Sequence, residues 1–439
     1  MGLQRGRRRG LLGRRSRPAV EPPATGAGDG GEVEAAGSGS QLSQAVIYAA
    51  IFLSLLGWTM TGPVLPALRE HFGLTASRTG LITSAFPLGV LVAVFIFPVL
   101  SDVVGRKPML VASYLGVGLG MCLQALAVQL GLSFTAFLGL RALTGACAGA
   151  SAVVKAYLAD ATQPEKLPQV MAYREAAATL SFIVGPALGG LVLSATSLPS
   201  ILFVEGLTSL LAGLLVALFL RESRRRPGEQ QRAPARPAEA GAQDCPIEYG
   251  KPWVPIVTAM FVSCAYNFGQ SFFDGFFPVL CAERFGLQAT AIGTTQTAMA
   301  MVVFAVTAGL YGRAVRRLGL VETAALGLLL IAGGVGATGS FGQWSGVLFG
   351  VLLYAVGIPL FSPSVAAVLT RCAPAGRRGL VLGCDSAVNS VGRILAPVVL
   401  GAVYEISPAK AFGLVASVVA AGAVVMFAEK TALSRTPKP

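Results

Sequence analysis

Charged side chains are scarce in this chain. They make up 13% of its 439 residues, whereas a soluble domain carries about a quarter. Histidine occurs once, and the seven cysteines include no C-x-x-C pair, so the sequence indicates neither a metal site nor a disulfide framework. The motifs H-E-x-x-H, G-x-S-x-G and G-x-x-x-x-G-K-[ST] are missing too. We therefore expect a protein that is not an enzyme, with no catalytic residues and no cofactor.

Long apolar runs take the place of charge. Hydrophobic residues make up 54% of the chain, and runs of about 20 residues recur, each long enough to cross a bilayer as a helix. Helices are required because lipid offers no hydrogen-bond partner to an open backbone. We predict an all-α multi-pass membrane protein with about twelve spans. In chain order, spans 1 to 12 are predicted at 45–66, 80–101, 108–129, 133–155, 172–195, 200–220, 255–280, 290–312, 321–341, 343–370, 379–404 and 408–429.

Polar segments divide these spans into two sets of six. Residues 1–43 are rich in arginine, which fits either a disordered cytoplasmic tail or an organellar transit peptide. The proline-rich segment 222–252 predicts a flexible cytoplasmic linker. The predicted six-helix bundles are then 44–221 and 253–430, followed by a tail at 431–439.

The net charge of +13 follows the predicted topology. With both termini in the cytoplasm, about 28 of the 34 Lys and Arg residues fall on the cytoplasmic side, the usual bias of membrane proteins. The basic charge therefore does not indicate nucleic-acid binding. We expect a plasma-membrane or organelle-membrane protein whose partners are the bilayer and a small-molecule solute, with protons as a possible coupling ion.

The two halves of the chain repeat one motif. Phe72–Ala76 followed by Gly80 matches Phe285–Ala289 followed by Gly293, and both read F-G-L-x-A-x-x-x-G. Internal repeats are typical of transporter folds in which two bundles rock around a central site. The repeat therefore predicts two pseudo-symmetric six-helix bundles.

A short charged turn separates spans 2 and 3. It contains Asp102, Gly105, Arg106 and Lys107 in the pattern D-x-x-G-[RK]-[RK]. Glycine permits the tight reversal, and the basic residues favour the cytoplasmic side. The turn resembles the loop between helices 2 and 3 of major facilitator superfamily transporters, where it acts in gating.

Spans 4 and 5 carry motifs that sharpen this resemblance. Arg141, Gly145 and Gly149 form R-x-x-x-G-x-x-x-G, and small residues of this kind let helices approach closely. The motif G-P-x-x-G-G in span 5 comprises Gly185, Pro186, Gly189 and Gly190. Together they resemble the twelve-span drug:proton antiporters of the superfamily, which implies a cavity exposed alternately to each side. The chain departs from that group at Pro98, where the family usually has glycine, and in lacking a carboxylate in span 1, where many proton-coupled exporters carry one.

Polar residues at helical spacing indicate where a solute or coupling ion would bind. Ionisable residues inside a membrane are costly, so they are candidate functional residues. The alternative is polar contact between helices, worth about 0.6 kcal/mol per pair. The candidates are Arg141 in span 4, then Asn267, Gln270, Ser271 and Asp274 in span 7, and Asp385, Asn389 and Arg393 in span 11.

These features predict an alternating-access secondary transporter of a small organic solute. The leading interpretation is an exporter of drugs or metabolites coupled to protons. A uniport facilitator or uptake carrier is an alternative, and a non-transporting receptor or scaffold is the alternative of another class. For Asp102, the resemblance implies a latch on the N-terminus of span 11 when the cytoplasmic side is closed. Asp102 could instead only balance the positive charges of its own loop.

Overall fold

The computed structural model describes the backbone of residues 30–163, 165–223, 253–373 and 378–434. Residues 1–41 and 42–439 form separate units, and the apolar spans lie in the second. Most of the predicted N-terminal tail, the linker from residue 224 and the last five residues lie outside the described residues. The structure is all-α, and within the part that it describes eleven helices are long and apolar enough to cross a membrane.

The first six spans match the predicted order, with two of them broken into shorter helices. They are Gly30–Met60 with Leu65–His71, Ala76–Val104, Arg106–Gln129, Phe134–Ala146 with Ala150–Ala161, Leu167–Ala195 and Leu198–Phe219. The second six are Trp253–Phe285, Ala289–Val306 with Gly312–Leu318, Leu320–Ser340, Trp344–Cys372, Arg378–Ile406 and Pro408–Ser434. Span 7, Trp253–Phe285, is the predicted span outside the eleven, because its 33 residues include a polar face.

The breaks in spans 1 and 4 differ from the continuous helices expected at 45–66 and 133–155, and each has a local cause. In span 1, Pro63 lacks a backbone N–H, and Gly62–Val64 forms a 3-10 turn. In span 4, the Ser113 hydroxyl donates to the Cys147 carbonyl at 2.6 Å and accepts from the Ala150 N–H at 2.9 Å. A side chain inserted into the hydrogen-bond ladder in this way interrupts a helix.

One expectation about cysteine is wrong. The sequence indicated no disulfide, but Cys372 at the end of span 10 is disulfide-bonded. The cysteines inside the spans, such as Cys122 and Cys264, are free. Spacing alone gave no signal for Cys372, because it belongs to no local cysteine motif.

The two halves pack together chiefly through span 2 on span 11 and span 5 on span 8. Ser84 Oγ donates to the Ile394 carbonyl at 2.7 Å, and Thr297 Oγ1 donates to the Ile183 carbonyl, also at 2.7 Å. Both bonds lie toward the end of the bundle that holds the repeated segments Phe72–Ala76 and Phe285–Ala289. We call this the repeat end, and the opposite end the Asp102 end.

The repeated glycines lie where the backbones of the two halves approach closely. A Cβ atom on Gly80 would lie 2.0 Å from the Pro397 carbonyl oxygen, and one on Gly293 would lie 2.1 Å from that of Pro186. Both distances are shorter than any real contact of a Cβ atom, so only glycine fits. The internal repeat of the sequence therefore marks a pseudo-symmetric seam at which each half presses on a backbone of the other.

The halves diverge away from this seam. Along the face of span 2 that contacts span 11, Gly80 and Ser84 are buried. Farther along the same face, Leu88, Phe95 and Val99 are 50%, 58% and 63% exposed. The structure is thus closed at the repeat end and leaves a gap between the halves toward the Asp102 end.

Candidate functional site

Arg141 in span 4 organises a buried polar cluster in the first half. Its Nε donates to the Ile82 carbonyl of span 2 at 3.1 Å, and its Nη1 donates to Gln124 Oε1 of span 3 at 3.3 Å. Gln124 is fully buried and donates in turn to Thr144 Oγ1 at 2.8 Å. One guanidinium therefore connects three spans, which fits the planar, multi-donor geometry of arginine.

Glu205 in span 6 completes this cluster, although no sequence pattern predicted it as a site residue. Its side chain is 1% exposed, and its Oε2 accepts a hydrogen bond from Thr61 Oγ1 at 3.3 Å. The carboxylate also interacts electrostatically with Arg141. A signal was present in the sequence, because Glu205 is the one charged residue of the predicted span 200–220.

A second polar cluster joins spans 7 and 11. The sequence predicted a polar face on each of these spans but did not predict that the two faces meet. Arg393 Nε donates to Asn267 Oδ1 at 3.0 Å, and its Nη2 lies 3.5 Å from Gln270 Oε1. Ser271 Oγ donates to the carbonyl of Arg393 at 2.9 Å. Asp274 interacts electrostatically with the Arg393 guanidinium. The structure therefore brings all four predicted residues of span 7 to a single residue of span 11.

The two charged residues of this cluster open into the gap between the halves. Asp274 lies deep among the helices, yet its side chain and that of Arg393 are exposed. One turn away, Asn389 Nδ2 donates to Asp385 Oδ2 at 2.9 Å, and both of these residues are half-buried. The geometry provides an exposed anion and an exposed cation, and the cation is hydrogen-bonded by the neutral side chains of Asn267 and Gln270.

The predicted packing motifs of spans 4 and 5 lie at close contacts between helices. A Cβ on Gly145 would lie 2.1 Å from the Phe86 carbonyl of span 2, and one on Gly190 would lie 2.3 Å from the Ala289 carbonyl of span 8. The remaining glycines of the motifs, which pack on side chains or backbone of spans 1 and 2, are Gly149, Gly185 and Gly189. Pro186 lies inside its helix, where its carbonyl meets Gly293.

Arg106 holds the charged turn between spans 2 and 3. It pairs with Asp102 at 2.6 Å and with Asp160 of span 4 at 3.1 Å, while Gly105 adopts a φ of 122° that favours glycine. Glu222 accepts from the backbone N–H of both Arg106 and Lys107, so an acidic side chain caps span 3. This cap comes from a distant part of the chain and was not predicted.

Asp102 pairs with its own loop in this structure, while the halves diverge at this end. The latch on span 11 remains a prediction for a state closed at the Asp102 end. We expect Asp102→Asn to fold and to keep its solute affinity, while the population open at this end rises about fivefold, equivalent to about 1 kcal/mol. Crosslinking between cysteines introduced at positions 104 and 380 measures that population. An unchanged yield in a well-folded variant would discard the latch.

The repeat end is closed by polar contacts as well as by glycines. Arg69 forms an ion pair with Glu283, and the Tyr404 hydroxyl donates to Glu283 Oε2 at 3.1 Å. Nearby, Ser77 Oγ donates to Glu405 Oε2 at 2.8 Å. The ion pair and the Ser77 bond join the two halves, so both must break if the repeat end opens.

Comparison with known proteins places this architecture in a family. The family model described as Major Facilitator Superfamily matches residues 47–292 and 259–439. Multidrug resistance protein 1 of Bacillus subtilis (strain 168) is 25% identical over 364 residues, covering 82% of this chain and 89% of that protein. The class C tetracycline resistance protein of Escherichia coli is 25% identical over 373 residues, with 84% and 91% covered.

Solved structures share the same fold. The crystal structure of the human organic anion transporter MFSD10 (TETRAN) aligns with a TM-score of 0.65 and 22% identity, covering 88% of this chain and 99% of that one. A bacterial homolog to the human lysosomal transporter Spinster, in an inward-facing and occupied conformation, aligns with a TM-score of 0.68 and 14% identity, covering 90% and 96%.

Proposed function

Because the chain belongs to the major facilitator superfamily, we propose that it exports a small drug-like organic solute across a membrane in exchange for protons. One observation carries the proposal: the Asp274–Arg393 cluster opens into the gap between two halves that are sealed at the other end. Drug-resistance proteins among the relatives support the class of solute. Charged residues inside the membrane are costly, and a receptor or scaffold gains no function from charges at the wall of such a gap.

We orient the protein with the Asp102 end in the cytoplasm. The turn with Arg106 and Lys107, the segment around Arg316 and Arg317 and the linker carry the basic residues, which favours that side. Both chain termini then lie in the cytoplasm, and the gap of this structure faces the cytoplasm. An exporter in this state would load its solute from the cytoplasm.

The proposal is tested with the full chain in liposomes. A panel of lipophilic cations, tetracyclines and organic anions is offered with and without an imposed pH gradient. We expect at least one panel member to accumulate against its own concentration gradient. This accumulation should occur only when the imposed pH gradient drives protons in the opposite direction. Solute movement that is indifferent to the gradient would reject antiport and favour a uniporter.

Asp274→Asn tests the coupling role of the exposed carboxylate. We expect gradient-driven accumulation to fall about 10-fold or more, since coupling free energies of 1–3 kcal/mol correspond to 5–150-fold. Downhill exchange of labelled for unlabelled solute should persist, because it requires no net proton movement. The matched control is Glu70→Gln, an exposed carboxylate outside the cluster, which should keep gradient-driven accumulation. Equal loss of both activities in Asp274→Asn would assign Asp274 to solute binding or folding instead.

A further inference from the structure

Glu205 is the most deeply buried acidic side chain in the described part of the chain. It is 1% exposed, and within the described residues its Oε1 has no hydrogen-bond partner. The groups that face it are Thr61 from span 1 at 3.3 Å and the Arg141 charge from span 4. Span 3 brings the Cys122 sulfur against the neighbouring Gly206. The Glu205 carboxylate is therefore stabilised by the Thr61 hydroxyl and by the more distant charge of Arg141.

A carboxylate held in this way is a site for reversible proton binding. An ionised carboxylate removed from water is costly unless it is paired and hydrogen-bonded, and one oxygen of Glu205 has no bond within the described residues. A proton bound at that oxygen removes the charge without requiring the helices to move. The Thr61 hydroxyl is half-buried, and it supplies a polar group between Glu205 and the surface of span 1.

Thr61 connects this carboxylate to the other half of the protein. It directly precedes the 3-10 turn Gly62–Val64, at which span 1 is broken. That turn packs against spans 5, 7 and 8. A Cβ on Gly62 would lie 2.7 Å from Gln296 Oε1 of span 8, an oxygen for which the described residues provide no partner. A change in the Glu205–Thr61 hydrogen bond therefore acts directly on a contact between the two halves.

We propose that Glu205 is a proton-binding residue of the transport cycle and that Thr61 transmits its occupancy to the contact between the span 1 turn and span 8. One proton binds to the carboxylate and later leaves it, with no other bond made or broken. This inference rests on the proposed proton coupling. It names a coupling residue in the first half, separate from the Asp274 site.

The test measures conformation and needs no solute. The full chain in nanodiscs carries spin labels at Arg78 and Ile406, which are exposed at the repeat end on opposite halves. For the wild type, we expect the ratio of molecules open at the repeat end to molecules closed there to change about fivefold or more between acidic and alkaline buffer. Glu205→Gln should lose most of this response. The matched control is Glu70→Gln, an exposed carboxylate of the same end, which should keep it.

Infrared difference spectra of the same samples report the proton itself. A carboxylic C=O band that appears with acid and disappears in Glu205→Gln assigns proton binding to Glu205. Thr61→Val should keep that band, because the carboxylate still binds its proton. The distance between the labels should no longer respond to pH, because valine cannot form the hydrogen bond that links Glu205 to the span 1 turn. If Glu205→Gln fails to fold, Thr61→Val decides the test through the same two measurements.

The outcomes separate this inference from the proposed function. A wild-type band and distance response that Glu205→Gln leaves unchanged would overturn the role of Glu205, whatever the solute assays give. If no panel solute moves but the pH response depends on Glu205 and Thr61, the inference stands and the proposed function fails.

Discussion

Alanine in place of Gly80 should open the repeat end of the protein. The added Cβ would lie 2.0 Å from the Pro397 carbonyl oxygen, and a backbone atom inside a helix cannot move away as a flexible side chain can. Spans 2 and 11 must therefore separate. Overpacking typically costs about 1–3 kcal/mol, which lowers the ratio of closed to open populations about 5- to 150-fold. The distance between spin labels at Arg78 and Ile406 should lengthen accordingly.

Two further variants make this prediction specific. Gly293→Ala introduces the equivalent contact, 2.1 Å from the Pro186 carbonyl oxygen, and should open the same end. Gly413→Ala is the matched control, since no atom lies within 4 Å of its Cβ position. Because Gly80 contacts the other half at this point, the thermal stability of each bundle should change little. A folded Gly80→Ala variant in which the distance between the labels at Arg78 and Ile406 equals that of the wild type would contradict the claim that the Gly80 contact keeps the repeat end closed.

Replacing Arg141 should have the second large effect, on stability as well as transport. Arg141→Met removes the donor to Gln124 and the charge opposite Glu205, both of which are buried. Leaving a buried polar or charged group without its partner costs about 1–3 kcal/mol or more. We expect a clearly lower melting temperature and no measurable transport. Arg141→Lys should be intermediate, because an ammonium group keeps the charge but loses the forked geometry.

A double variant identifies the reason for the loss. If Glu205 is the group left without its counter-charge, adding Glu205→Gln to Arg141→Met should restore about 0.5–3 kcal/mol of stability. Thermal unfolding of the four proteins in one detergent measures the interaction. Purely additive losses would mean that Arg141 acts through Gln124 and the Ile82 carbonyl alone.

Much of the fold can be predicted from the sequence because lipid restricts the choices. Long apolar runs must be helices, and the repeat of Phe72–Ala76 and Phe285–Ala289 marks the two halves and their seam. The spacing of Asn267, Gln270 and Asp274 predicted that they share one face of span 7, and in the structure that face contacts Arg393. Here local periodicity and tertiary contact agree, since residues at i, i+3 and i+7 must share a face.

The features that were missed depend on contacts between distant segments. The break in span 4 is caused by Ser113 of span 3, and the cap of span 3 comes from Glu222 beyond span 6. Glu205 stands alone in an apolar run, so no spacing pattern drew attention to it. Its importance comes from Thr61 and Arg141, which reach it only in the folded protein.

The central claim is that the two halves alternate between closure at the repeat end and closure at the Asp102 end. The most direct measurement records the distance between the halves at the repeat end and at the Asp102 end of the full-length protein. One sample carries spin labels at Arg78 and Ile406, and a second sample carries them at Val104 and Leu380. As pH and solute are varied, we predict opposite changes, so that the repeat-end distance lengthens under the conditions in which the Asp102-end distance shortens. Two distances that lengthen together, or that stay constant in a protein that moves its solute, would contradict alternating access.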